Sequence, residues 1–389
     1  MITGGGDMKK FKKSLILLSW MTIFSVALGA AWTTKRITNN AGISIATAIA
    51  VNGANVYVTW QDTTPGNCEI YFRRSTDGGT TWNAAKRLTF NSGYSESVSP
   101  DITVNGSTIC VAYQGNASGN DEIYCRTSTD GGATWQAAKR LTFNSGDSCT
   151  PKIAFSGVSL CLVWWDDTPG NPEIYFRKST DSGATWQSAQ RLSNNSGDSY
   201  CPDIVGYGSY LYVVWNDVSS GNTESYFRRS IDSGATWQSQ KKLTNNSGAF
   251  EGYTSIAVGG MLGANLFAAW HDNAPGNFDI YFRRSTDKGV TWQTIKNLTD
   301  NSGNSYCPAI AVSGSNVYVT WQDDIPGNDE IYMRKSGDGG VTWQTSQRIT
   351  NNSGTSSLPA IALNNSTRYV TFQEDTPGNA EIYLKFSPL

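Results

Sequence analysis

From residue 32 onward the chain alternates short apolar runs with tight polar breaks. Runs such as "NVYVTW" (55–60), "EIYF" (69–72) and "PDITV" (100–104) are rich in Val, Ile, Tyr, Phe and Trp. Pro-Gly-Asn, Asp-Gly-Gly and Asn-Ser-Gly clusters separate them. β-Branched and aromatic residues suit a pleated, half-buried surface, and the breaks carry the residues that turns demand. The pattern therefore predicts β-strands joined by turns throughout.

The pattern also repeats. Aligned tryptophans fall at Trp32, Trp82, Trp135, Trp186, Trp237, Trp292 and Trp343, at intervals of 50 to 55 residues. Each unit reads alike: a run after proline, a second run, a turn of the "TTPGN" type (63–67), a third run, "STDGGTTW" (75–82), then "WNAAKRLT" (82–89). Four strands in about 50 residues is the arithmetic of a propeller blade, whereas a solenoid of β-coils has shorter repeats. The "STDGGTTW" element occurs six times, but the stretch before it occurs seven times. The last unit stops at "EIYLKFSPL" (381–389), after a third strand, and "WTTKRITNN" (32–40) matches a fourth. The expected fold is all-β: a seven-bladed β-propeller of four-stranded antiparallel blades. Residues 32–38 would be the outer strand of the blade formed by 358–387, closing the ring without a raw sheet edge.

Register follows from the turns. A "TTPGN" turn centred between residues 64 and 65 sets Trp60 opposite Glu69, and Asp62 opposite Asn67. Carried into the next hairpin, this register pairs Glu69 with Arg87, Glu122 with Arg140, Glu173 with Arg191, Glu224 with Lys242, Glu330 with Arg348 and Glu381 with Arg36. In the fifth blade the pair is Asp279 with Asn297. Opposite charges across strands stabilise by about 0.2–1 kcal/mol each. The same register sets Cys110 opposite Cys125, as a disulfide or as packed thiols.

Composition narrows the function. Net charge is -2, charged residues make up 16%, and there is no basic stripe, so nucleic acid is not an expected partner. "MKKFKK" (8–13) followed by the apolar "SLILLSWMTIFSVALG" (14–29) and small residues reads as a secretory signal over 1–30, cleaved near 29–31. The apolar run is short for a span of about 20 residues. The mature chain, 31–389, is expected to be secreted, periplasmic or at the cell surface. It would be free of the membrane, monomeric, and partnered by glycans or extracellular proteins. The 7 cysteines show no Cys-x-x-Cys spacing and there is 1 histidine, so no metal site is expected.

The element Ser-x-Asp-x-Gly-x-Thr-Trp resembles the Asp box, or BNR repeat, of the sialidase-like β-propellers. The resemblance spans residues 32 to 389. It implies that Asp77, Asp130, Asp181, Asp232, Asp287 and Asp338 hydrogen-bond turn amides between third and fourth strands. Gly79 and its counterparts would take a conformation awkward for other residues, and Trp82 and its counterparts would pack between strands. In that family the boxes lie away from the ligand face, so they carry no catalysis. Working sialidases use three arginines, a tyrosine–glutamate nucleophile and an aspartate. The arginine-bearing "FRIP"-like opening is absent here, and the arginines recur with the repeat instead of converging on one site.

Two sets of residues could carry chemistry. Asp62, Asn67 and Glu69, with their copies, would offer oxygens to sugar hydroxyls or weakly to calcium, or would satisfy neighbouring backbone and arginine. No other cofactor is expected. The second set breaks the symmetry near the axis. After the blade-opening proline or its equivalent stand Ala48, Asp101, Lys152, Asp203, Ser255, Ala309 and Ala360, preceded by loops bearing Tyr94, Tyr200, Glu251, Tyr253 and Tyr306. Asp101 and Asp203 with Lys152 between them form either an acid–base site or a salt-bridged plug. Glu251 and Tyr253 invite comparison with a nucleophile pair, and the tyrosines with ligand binding. His271 stands where other blades have Gln, Trp or Asn, and a structural surface role is expected of it. The expected function is carbohydrate or protein binding without catalysis; the alternative is a sialidase-like glycoside hydrolase.

Overall fold

A computed structural model describes residues 31–389 apart from 94, 246–250, 261, 262, 275 and 377, and apart from the side chain of Glu251. Among the described residues the chain forms strands β1 to β28, arranged in seven four-stranded antiparallel sheets. The first unbroken blade runs β2 (Ser44–Asn52), β3 (Asn55–Asp62), β4 (Glu69–Ser75) and β5 (Lys86–Arg87) from axis to rim. The last blade is assembled from both ends of the repeat: β26 (Ser356–Leu363), β27 (Thr367–Glu374), β28 (Glu381–Pro388), and then β1 (Thr33–Arg36). Arg36 lies opposite Tyr383. On the inside, β2 packs against both β6 (Ser97–Asn105) and β26, so the ring is shut.

Each blade is sandwiched between two neighbours, which explains why its second strand is apolar on both faces. The core is a set of layers between blades. Ile70, Phe72 and Leu88 of the first blade meet Ile109, Val111 and Tyr113 of the second. The box tryptophans belong to these layers. Trp135 sets its edge on Phe72 of the preceding blade, ring centroids 4.9 Å apart, and Trp237 does the same on Phe176 at 5.0 Å. They thus pack across a seam and not between strands of their own blade, and they are only half-buried. The fully buried tryptophans are Trp60, Trp164, Trp215, Trp270 and Trp321, on second strands. The box glycine makes the seam tight. Gly132 has φ 84°, and a Cβ there would lie 2.6 Å from the Phe72 ring.

The repeated arginines staple the seams. Arg126 on a third strand donates from Nη1 to Leu88 O of the preceding blade at 2.5 Å, and Arg228 to Leu192 O at 2.5 Å. Lys385 fills this role in the split blade, 2.8 Å from Ile349 O. Hydrogen bonds from charged donors contribute about 1.5–3 kcal/mol each.

The observed register differs from the expected one by two residues. Trp60 faces Tyr71, Asp62 faces Glu69, and Tyr71 faces Arg87. The reason is the loop between β3 and β4, which turns through a Gly66 N–H bond to Thr63 O at 2.9 Å and is wider than a tight two-residue hairpin. A shift of two keeps every side chain on its face. The expected ion pairs therefore form diagonally: Glu69–Arg87 at 2.6 Å, Glu122–Arg140 at 2.5 Å, Glu173–Arg191 at 2.6 Å, Glu224–Lys242 at 2.7 Å, Glu330–Arg348 at 2.8 Å and Glu381–Arg36 at 2.9 Å. Asp279 accepts from Asn297 at 3.0 Å. Cys110 faces Thr127 and Cys125 faces Ala112, not each other, and both thiols are free and buried.

Candidate functional site

Ser44 pairs with Asp62, so the innermost strands begin on the same face as the loops joining second to third strands. The Asp boxes lie on the other face, where Gly78 N–H donates to Ala54 O in the β2–β3 turn at 2.9 Å. Asp77 accepts from Ser75 Oγ at 2.7 Å, Thr81 N–H at 2.8 Å and Thr81 Oγ at 2.6 Å. The Thr81 hydroxyl and amide hold its carboxyl down at about 2.

Near the start of every innermost strand the ladder slips. In β2, Ile45 pairs with Gln61 and Ala48 with Thr59, leaving two residues opposite one, a β-bulge. The first bulged residue is left-handed in all seven blades: Ala46 (φ 53°), Ser99 (52°), Thr150 (46°), Cys201 (48°), Tyr253 (48°), Cys307 (50°) and Leu358 (50°). None is glycine, and Ser99, Thr150, Cys201, Cys307 and Leu358 also precede proline, which disfavours anything but extended backbone. Such residues cost about 1–3 kcal/mol each and persist where their surroundings hold them. At five of the seven the preceding blade does so. Ser99 N–H donates to Gln61 Oε1 at 2.9 Å, Thr150 N–H to Gln114 at 3.0 Å, Leu358 N–H to Gln322 at 3.0 Å and Ala46 N–H to Gln373 at 3.3 Å. In the fifth blade the same station is His271, whose Nδ1 accepts from Cys307 N–H at 3.4 Å.

These bulges surround an axial cavity of about 300 Å³, walled by prolines of five blades together with Lys152, Asp203 and Tyr253. Asp101 stands behind that wall, its Oδ1 3.8 Å from Lys152 Nζ. Asp101 Oδ2 accepts Ile153 N–H of the next blade at 2.8 Å. Asp203 accepts Ile204 N–H at 2.9 Å, Ile256 N–H of the next blade at 3.0 Å and Ser255 Oγ at 3.3 Å. Burial pushes the Asp203 carboxyl up, against the pull of Lys152. Asp101 pushes the Lys152 ammonium up, against its own burial. The Lys152 side chain is 42% exposed and Tyr253 is 55% exposed.

The structure brings Lys152, Asp203 and Tyr253 to one cavity, with Asp101 beside Lys152 behind its wall, and sets the remaining described candidates elsewhere. Tyr94 and the Glu251 side chain lie outside the described residues; the Glu251 backbone pairs with Asp272. Tyr200 turns its hydroxyl to Thr223 Oγ1 at 3.4 Å. Tyr306 packs with Phe278 and His271, centroids 4.9 and 5.7 Å apart. His271 is not a surface residue as expected. It is 3% exposed, wedged into this aromatic cluster between blades, and burial lowers it to about 4. The sequence signal was its place after Trp270, the station that Gln61 and Gln114 occupy in other blades.

Asp62, Asn67 and Glu69 face inward. Asp62, 1% exposed, accepts from Asn40 Nδ2 at 2.7 Å, Ser44 Oγ at 2.8 Å, Trp60 Nε1 at 3.1 Å and Thr64 N–H at 2.8 Å. Glu69, 0% exposed, accepts from Arg87 and from Asn91 N–H at 2.6 Å. Asn67 donates to Ser95 O at 2.8 Å. Among the described residues no three His, Cys, Asp or Glu side chains gather as metal ligands.

A family model described as a BNR repeat-like domain matches residues 47–217 and again 207–380. No curated protein sequence matches the chain. Among solved structures, the fold is similar to that of an ulvan lyase from a new polysaccharide lyase family, at 12% identity and TM-score 0.68, over 90% of this chain and 94% of that one. It is similar to a protein of unknown function from Dyadobacter fermentans, at 14% identity and TM-score 0.57, over 92% and 99%. It is also similar to the α-L-arabinofuranosidase of Fusarium graminearum, at 12% identity and TM-score 0.54, over 89% and 93%. At these identities what is shared is the fold.

Proposed function

The chain belongs to the BNR repeat-like family, and from that premise we propose that it is an exported, non-catalytic propeller that binds carbohydrate at its axial mouth. The observation that carries this is the break in sevenfold symmetry there. Lys152, Asp203 and the exposed Tyr253 ring stand among proline rings in one cavity of about 300 Å³. Sugar recognition needs that combination: apolar rings against C–H faces and a few fixed polar groups for hydroxyls. The ulvan lyase and the arabinofuranosidase, named for activity on polysaccharide and arabinoside, use the same fold.

Binding is favoured over catalysis because both carboxylates already have work. Asp101 and Asp203 each accept an amide from the next blade, which fixes them as acceptors and ties them to the scaffold. A glycan array run beside a fluorogenic glycoside panel tests the reading. Binding that weakens at least tenfold in Lys152→Ala, with no glycoside cleaved, is expected. The second reading, glycoside hydrolysis, draws on the raised Asp203 carboxyl beside Lys152 and Asp101; cleavage lost in both Asp101→Ala and Asp203→Ala would establish it and overturn the first. Export predicts a secreted chain beginning near residues 29–31, read by mass spectrometry of the culture supernatant.

A further inference from the structure

Between the first and second blades the loop network lacks its centre. At four other second strands a carboxylate gathers an asparagine, a serine and an indole. Asp62 does so for Asn40, Ser44 and Trp60, and Asp166 for Asn144 at 2.6 Å, Ser148 at 2.7 Å and Trp164 at 3.3 Å. Asp217 and Asp323 repeat the arrangement. In the second blade those stations hold Tyr113 and Gly115. Asn91 is left to donate to Ser97 Oγ at 2.8 Å. A cavity of about 350 Å³ opens where the carboxylate would stand, lined by Asn91, Ser97, Tyr113, Tyr124 and Phe90.

The lining is aromatic and polar at once. Tyr124 stacks on Tyr113, centroids 5.7 Å apart and planes 11° apart. Phe90 is 72% exposed, and the Arg87 guanidinium sits 5.0 Å from its ring centre. Five other blades carry Asn or Asp at the Phe90 position: Asn39, Asn194, Asn245, Asp300 and Asn351. Phe143 on the second blade is the exception, 73% exposed with Arg140 at 4.7 Å, but at its junction Asp166 fills the space. Of these two phenylalanines, Phe90 is the one with a cavity beside its open ring.

We propose that this cleft is a second carbohydrate site, holding one neutral pyranose ring against Phe90, with Asn91 and Ser97 hydrogen-bonding its hydroxyls. The volume is at the low end of ligand pockets, roughly 300–1,000 Å³, as one sugar ring requires. Neutrality follows from the cations at the cleft, which are already engaged. Arg126 donates to Gln136 O at 2.7 Å and Leu88 O at 2.5 Å, and Arg87 to Thr89 O at 2.8 Å and Glu69 at 2.6 Å. The site stands whether or not the axial mouth binds sugar.

Gly115→Asp supplies a sharp test. The backbone at Gly115 is not left-handed, and a Cβ there meets its nearest neighbours at 3.4 Å, an ordinary contact. The variant restores the missing acceptor and fills the cleft, so its melting temperature stays at or above the parent's. Calorimetric titration uses β-1,4-linked hexaoses of glucose, mannose and galactose as probes. At least one binds the parent; Gly115→Asp abolishes the binding that belongs to this cleft, Phe90→Ala weakens it at least fivefold, and Phe143→Ala leaves it intact. The proposal falls if no probe binds the parent at about 10 mM, or if Gly115→Asp binds as the parent does. It falls equally if binding is lost in Lys152→Ala alone, an outcome that would leave the axial reading standing.

Discussion

Replacing His271 by glutamine should remove most of the chain's acid sensitivity above pH 4. His271 Nδ1 accepts the Cys307 N–H at 3.4 Å, and its ring touches Tyr253, Phe278 and Tyr306 at centroid distances of 5.7, 5.3 and 5.7 Å. Protonation would set a second N–H against that donor and place a charge inside an aromatic cluster. Burial therefore lowers the imidazole from 6.5 to about 4. Between those values the unfolded chain binds a proton that the native chain refuses, so stability rises with pH. The gap of about 2.5 in pH, at about 1.4 kcal/mol for each, makes the native state about 3 kcal/mol more stable at pH 7.5 than at pH 4 on this account alone. Glutamine keeps the acceptor, as Gln61 does for Ser99 N–H at 2.9 Å, but cannot titrate. Urea unfolding of parent and His271→Gln at pH 4, 5.5 and 7.5 should give stability curves that diverge by about 3 kcal/mol toward acid. Proton NMR adds a direct check, because the chain has 1 histidine. Parallel curves, or an imidazole titrating near 6.5 in the folded protein, would refute the reasoning.

Removing residues 32–38 should weaken the closure of the last blade, leaving one edge of β28 bare and Glu381, 0% exposed, without Arg36; losing the partner of a buried charge costs about 3–5 kcal/mol, and light scattering should show association through the bare edge. Gly132→Ala should destabilise by about 2–5 kcal/mol in denaturant unfolding, combining left-handed backbone strain with a clash on Phe72. The box aspartates Asp77, Asp181 and Asp232, each held at about 2 by a threonine hydroxyl, contribute stability that is complete above about pH 4 and lost as pH falls toward 2, because the unfolded carboxylates take up protons first. Melting temperature should fall through that window, and less so in Thr81→Val.

Blade number, ring closure and six ion pairs were legible in the chain because each is a property of the repeat. Seven copies of one half and six of the other leave a single way to complete the set, and Arg36 must then meet Glu381. An error of two in register did no harm, since side chains two apart share a face. The Cys110–Cys125 opposition had no such protection, because it depended on which residues lie directly across. In sequence Asp62 and Glu69 offer oxygens to a ligand or to neighbouring backbone and arginine; the structure shows both buried, with Asp62 accepting from Ser44 and Glu69 from Arg87. His271 is the converse: nothing in its local sequence signals burial, and the aromatic cluster that encloses it is assembled from two blades.

What the sequence determined by itself is therefore local and periodic: strand, turn, box and the number of units, all set by interactions within about 50 residues. The tertiary structure decided what happens between units. It set the box tryptophans across seams, put third-strand arginines onto neighbouring carbonyls, held five of the seven left-handed bulges by side chains from the blade before, and opened a cleft where Gly115 replaces a carboxylate. Those outcomes join residues of different blades, and no spacing along one blade encodes the distance to the next. Only ring closure, which brings every blade into contact with two others, fixes them.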